Sequence, residues 1–162
     1  MRHLLPLLFL ALLAVAAVGW PTAQSLPGHP MSDLYDHAWG YSWFAQQLQA
    51  GEWPLWTRQS HGPDGGVLWF VDPLGALLSL PFQALFPLPV ALGILPILQL
   101  WLAMAGAYGL GLSEYRRVPA ALVVAVVFGL SSYSLSVLHS GTWEYLNLWP
   151  FPLFVWALRQ GR

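Results

Sequence analysis

The chain has 162 residues, 57% of them hydrophobic and 8% charged, where an ordinary soluble domain carries roughly 25% charged residues. A net charge of −1 with no Lys/Arg cluster excludes a basic footprint for nucleic acid. The absence of cysteine excludes disulfides, thiolate nucleophiles and Cys-type zinc sites. What remains is membrane composition, and the ten Trp and six Tyr are residues that favour the headgroup level of a bilayer.

In chain order, Leu4 to Trp20 run without a charge behind Met1, Arg2 and His3. The stretch reads as a first membrane span over 4–20, although a basic start, an apolar middle and small residues near Thr22 and Ala23 also fit a signal peptide. Residues 21–72 form the one long polar region, punctuated by prolines and the turn-forming HGPDGG at 61–66. They read as an extracytoplasmic loop. HGPDGG lacks the Lys-Ser/Thr of a phosphate-binding loop, and no serine-type or H-E-x-x-H signature is present. Within the loop, Ser32 is placed to cap a helix running to about Gln49, with Gly51 just beyond its end. Leu34, Ala38, Tyr41, Ala45 and Leu48 recur at spacings of four and three, which predicts an amphipathic helix lying on the bilayer surface.

From Pro73 to Ser113 no charge appears for 41 residues. Two crossings would place Glu114, Arg116 and Arg117 outside, against the cytoplasmic bias of Lys and Arg. The pattern therefore predicts an interfacial segment over 74–86 and one crossing over 90–112, followed by spans at 118–138 and 145–158. The last, at 14 residues, rises only about 21 Å as a helix, short of the roughly 30 Å hydrocarbon core. The expected fold is an all-α polytopic transmembrane bundle of about four spans, with a long first extracytoplasmic loop carrying interfacial amphipathic helices. Residues 1–162 then form the N-terminal part of one membrane domain in a bacterial inner membrane, N-terminus cytoplasmic. Arg2, Arg116, Arg117, Arg159 and Arg162 fall inside; Asp33, Asp36, Glu52, Asp64, Asp72 and Glu144 fall outside.

The candidate chemistry lies on the outer side. Asp33 and Asp36 share a helix face, with His37 one turn after Asp33. The carboxylates suit a general base toward a hydroxyl or a hard divalent cation, while the helix macrodipole alone also favours acids there, by about 0.3–1 kcal/mol. Arg58, the single outer cation, suits bidentate phosphate recognition or a pairing with Glu52 or Asp64. His139 and Glu144 flank SGTW at the outer end of a span, where they can complete a substrate or metal site with Asp36 or serve as interfacial polar residues.

DHAWGYSWFAQQLQAGEWP, 36–54, resembles the first extracytoplasmic loop of GT-C-type glycosyltransferases, membrane enzymes that use polyprenyl-phosphate-linked sugars: an acidic pair, then an aromatic, a short helix and a Gly-acid-Trp, where Asp36 here leads to Gly51-Glu52-Trp53. PLWTRQSHGPDGG (54–66), DPLGALLSLP (72–81) and LSSYSLSVLHSGTWEYLNLWPFPLFVWAL (130–158) are similar to the YfhO-like bacterial membrane proteins, which share that architecture. The resemblance implies an enzyme that moves a sugar onto a cell-envelope acceptor, with Asp36 activating the acceptor or holding a divalent cation (Mg or Mn) together with Glu144. Asp33 and His37 then stand as catalytic neighbours of Asp36, while Arg58, Glu144 and His139 are expected as substrate-binding residues from their shared outer side and scarcity. His37 stands where the family has a second acid, and Glu144 replaces a two-acid motif; both departures bear on the metal. The implied partners are the bilayer, a polyprenyl-phosphate-linked sugar, and the remaining helices of a larger bundle or a partner subunit. Two other classes fit the same composition: a non-catalytic membrane subunit or scaffold, and a transporter fragment. The transporter ranks last because the expected spans carry no charged residue or histidine.

Overall fold

The computed structural model describes residues 3–30, 32–59, 63–68, 70 and 72–160. Among them the chain is predominantly helical: α1 (Leu4–Val18), α2 (Leu34–Gln49), α3 (Pro73–Leu85), α4 (Leu88–Tyr115), α5 (Val118–Gly129), α6 (Ser132–Ser140) and α7 (Pro150–Gln160), with a 3-10 turn at Trp143–Leu146. The strands β1 (Trp56–Thr57) and β2 (Gly66–Val67) form a small antiparallel hairpin in which Trp56 faces Val67 and Thr57 faces Gly66. Pro63, Asp64 and Gly65 lie in the connection expected from HGPDGG, whose His61 and Gly62 lie outside the described residues.

α4 is the hub, packed on α1, α3, α5 and α7. Its partners' directions follow from the order of their contacts. Pro21 meets Gly93, the Trp101 indole donates to the Leu7 carbonyl at 3.1 Å, and His3 Nδ1 lies 2.9 Å from the Tyr108 hydroxyl; α1 therefore runs antiparallel to α4. Gly111 meets Ala121 and Met104 meets Gly129, so α5 is antiparallel as well, and small residues let the two backbones approach. α7 runs parallel: Asn147 reaches Gln99, Pro152 meets Gly106, and Arg159 pairs with Glu114. The charges of Glu114, Arg116, Arg117 and Arg159 thus gather at the C-terminal end of α4, while Arg2 and Arg162 lie outside the described residues.

The expectation of about four spans meets a different arrangement. Among the described residues only α4 is by itself long and apolar enough to cross a membrane; its 28 residues rise about 42 Å. α5 and α6 meet that standard only as a pair bent by 40°. The break has a local cause: Ser131 turns extended and its hydroxyl oxygen accepts from the Ser134 N–H, starting a new helix. α1 is apolar but has 15 residues, about 22 Å. The segment expected over 145–158 is divided, because Pro150 disfavours helical backbone in the residue before it, so α7 begins at the proline and has 11 residues.

The loop helix forms where the periodicity places it. Leu34, Ala38, Tyr41 and Ala45 are buried, and Leu48 is half-buried. Their face packs against protein, in one core with Leu92, Leu95, Trp143 and Leu146, where a bilayer surface was expected. Ser32 makes no cap bond to α2; its hydroxyl lies within hydrogen-bonding reach of the His29 and Ser140 carbonyls, which share its one proton, and ties the loop to α6. A second tie is the Trp143 indole, which donates to the Pro27 carbonyl at 3.1 Å. Between them the Gly28 and Gly141 backbones touch, both at positive φ, and a Cβ built at Gly28 would lie 2.6 Å from Gly141 Cα.

Candidate functional site

The polar interior begins at Asp72, which is 3% exposed. Asp72-Pro73 starts α3, with the proline in the first turn where no N–H is needed and the carboxylate as cap. Asp72 Oδ1 accepts from the Gly75 N–H at 2.8 Å and from Asn147 Nδ2 at 2.7 Å; Oδ2 accepts from the Tyr41 hydroxyl at 2.6 Å. A side chain at position 75 would collide with the Asp72 carboxylate, so glycine allows the close approach. Asn147 in turn accepts from Gln99 Nε2 at 3.0 Å. Four segments of chain thereby meet: α2 through Tyr41, α3 through Asp72, α4 through Gln99, and the linker before α7 through Asn147. Burial, followed by the Asp72 charge and its hydrogen bond and then by Glu144, raises the Tyr41 hydroxyl well above its usual range, so it remains a donor.

Beside this network lie His37 and Glu144. His37 is on the buried face of α2 and Glu144 on the 3-10 turn; His37 Nε2 and Glu144 Oε1 are 3.4 Å apart, each side chain about a tenth exposed. Glu144 Oε2 is buried with no hydrogen-bond partner among the described residues. Burial pushes the Glu144 carboxyl above the usual carboxylate range. Its own backbone N–H and the His37 imidazole oppose that shift, and the charges of Asp72 and Asp33 add to it. A carboxylate so placed, with one buried oxygen unpartnered and an imidazole at the other, has the groups that proton transfer uses.

The sequence-derived residues therefore separate. His37 and Glu144 come together, and Asp33, exposed just before α2, is close enough for its charge to act on Glu144. Asp36 is exposed on α2, and among the described residues its side chain has no hydrogen bond or ion pair. Arg58 is exposed and lines a cleft with Glu52 that includes none of His37, Asp72 or Glu144. His139, in the last turn of α6, has its ring 6.0 Å from that of His29 and borders a hollow with Ala17, Val18 and Leu138. Among the described residues no group of three His, Asp or Glu side chains is arranged to hold a metal ion. From the sequence, Asp72 reads only as an outer acid and Tyr41 only as part of an apolar face, and Asn147 and Gln99 do not stand out as site residues. Their signals are the Asp-Pro helix start, the Glu144–Asn147 spacing of three, and a lone glutamine in an otherwise apolar run.

No family model, curated protein or solved structure matches the chain.

Proposed function

We propose that the chain belongs to a membrane-embedded glycosyltransferase of the GT-C kind, which moves a sugar from a polyprenyl phosphate to a hydroxyl of a cell-envelope acceptor on the extracytoplasmic side. The substrate class comes from the sequence resemblance. The observation that carries the chemistry is Glu144: a buried, hard-to-ionise carboxyl held against His37, with its second oxygen buried and unpartnered among the described residues. In this reading the acceptor hydroxyl donates to Glu144 Oε2. As the acceptor oxygen bonds to the anomeric carbon, its proton passes to Glu144 and the bond to the phosphate oxygen breaks, its electron pair leaving with the polyprenyl phosphate. His37 orients the carboxylate and stabilises its charge. Asp36, exposed and apart from the pair, has no assigned step, and none is routed through a metal.

The test uses the full chain in proteoliposomes with a polyprenyl-phosphate-linked hexose and a hydroxyl acceptor. Glu144→Gln is expected to lower transfer by about 10²–10⁴-fold, the range for a positioned proton acceptor, whereas Asp36→Asn keeps it within about twofold. Transfer that survives Glu144→Gln removes the mechanism. A second reading, a non-catalytic membrane subunit, draws on α7, where Phe151, Phe154 and Leu158 are exposed and suit contact with further helices or lipid. In that case the donor lipid binds no more tightly to the wild-type chain than to the Glu144 variant.

A further inference from the structure

Apart from the buried cluster, the loop region encloses a polar cleft of about 540 Å³ lined by Trp43, Gln47, Glu52, Trp56, Arg58 and Gln59. Three pieces of local structure build it. The Glu52 N–H donates to the Gln47 carbonyl at 2.9 Å, folding the chain back at the end of α2 and bringing Glu52 beside Gln47. The β1–β2 hairpin, extended by the Leu68 N–H to Leu55 carbonyl bond, holds Trp56 half-exposed as a wall. Gln59 is fixed by the Trp39 indole, which donates to its side-chain carbonyl at 3.2 Å and leaves the amide NH₂ available.

The cleft's charges are the telling feature. Glu52 and Arg58 line the same space, yet among the described residues neither has an ion pair or a side-chain hydrogen bond. An anion entering the cleft meets Glu52, and a cation meets Arg58, so each is opposed as well as attracted. A neutral polyol has no such conflict. Its hydroxyls can donate to the carboxylate and accept from the guanidinium and the amides, each a hydrogen bond to a charged or fixed polar group. The indole of Trp56 offers an apolar face with a polar edge, suited to the C–H face of a pyranose ring.

We propose that this cleft is a binding site for a neutral saccharide, with Trp56 as the stacking wall and Glu52, Arg58, Gln47 and Gln59 as hydrogen-bonding groups. It shares no lining residue with His37 or Glu144, so the assignment stands independently of sugar transfer. Trp43 lies six residues beyond His37 on α2, a rise of about 9 Å, which sets the cleft along the same helix as the acid–base pair.

The experiment titrates the full chain in detergent micelles with methyl β-glucoside, methyl α-mannoside and N-acetylglucosamine, using inorganic phosphate and glycine as charged comparisons. The readout is tryptophan emission backed by calorimetry. At least one of the three sugars is expected to bind saturably. Glu52→Gln and Arg58→Gln, both at exposed positions, are expected to weaken it about tenfold or more, as loss of a charged hydrogen bond does. Far-UV circular dichroism identifies any variant that has lost its helices, and Glu144→Gln leaves sugar binding within about twofold. Failure of all three sugars to bind, binding indifferent to both folded variants, or tighter binding of phosphate or glycine overturns the assignment. Loss of transfer in Glu144→Gln with sugar binding retained leaves it standing.

Discussion

A carboxyl taken out of water and set near two other acids gives up its proton less readily, and Glu144 is in that position despite the opposing help of His37. The consequence for stability has a definite sign. A folded-state pKa raised above the unfolded value of 4.5 favours the fold fully below that value, and the contribution disappears as pH rises through the folded pKa. Thermal unfolding of the detergent-solubilised chain should therefore show stability falling across that window, and Glu144→Gln should abolish the fall. A variant that keeps the same slope locates the titration elsewhere. Tyr41 gives a second residue-scale expectation. Its hydroxyl is one of three groups donating to the buried Asp72 carboxylate, so Tyr41→Phe should cost about 1.5–3 kcal/mol, the range for a hydrogen bond to a charged group. Denaturant titration measures the difference, and a neutral result shows that the carboxylate is satisfied by Gly75 and Asn147 alone.

Between elements, beside the core that α2 shares with Trp143 and Leu146, the loop carrying His37 is tied to the turn carrying Glu144 by Ser32 on Ser140, Trp143 on Pro27, and the Gly28–Gly141 approach. Gly28→Ala forces a methyl group against the Gly141 backbone at a position with φ of +134°. Overpacking of this kind costs about 1–3 kcal/mol, and it should separate the two elements that supply the pair. The pH-dependent term of Glu144 should weaken in the same variant, because a loosened turn rehydrates its carboxyl; an unchanged melting temperature and pH slope would show the contact to be incidental. The α4–α5 turn carries a different constraint. Arg116 closes α4 in the left-handed region at φ of 52°, where a non-glycine side chain costs about 1–2 kcal/mol. Arg116 and Arg117 together make this turn positively charged.

For the whole molecule, the charge distribution follows the central helix. Gln99, the foot of the polar network, precedes Glu114 by fifteen residues, about 22 Å along α4. One end of α4 holds Arg116, Arg117 and Arg159; Asp72 and Glu144 group around the network. If the arginine end faces the cytoplasm, single-cysteine variants provide the check: Asp36→Cys should react with an impermeant reagent in intact cells, and Arg117→Cys only in inside-out vesicles. The reverse pattern overturns the sidedness on which the transfer proposal depends.

Composition and periodicity were enough to establish a helical chain and the placement and buried face of α2, because these depend on local hydrophobic spacing. The count of membrane-crossing helices was not legible in the same way: hydropathy over 118–138 is continuous, yet Ser131 breaks the helix by capping the next one, and Pro150 divides the last segment. The site was legible only as residue types. Asp36 and His37 are neighbours in sequence, but the 100° step between successive residues on a helix turns His37 inward and leaves Asp36 in the open. Only the fold, by docking α2 on α3 and the 3-10 turn, selected Glu144 as the partner of His37 and enclosed Asp72 among donors from two distant parts of the chain, Tyr41 and Asn147. Those contacts span 31 to 107 residues, a separation that local pattern does not encode.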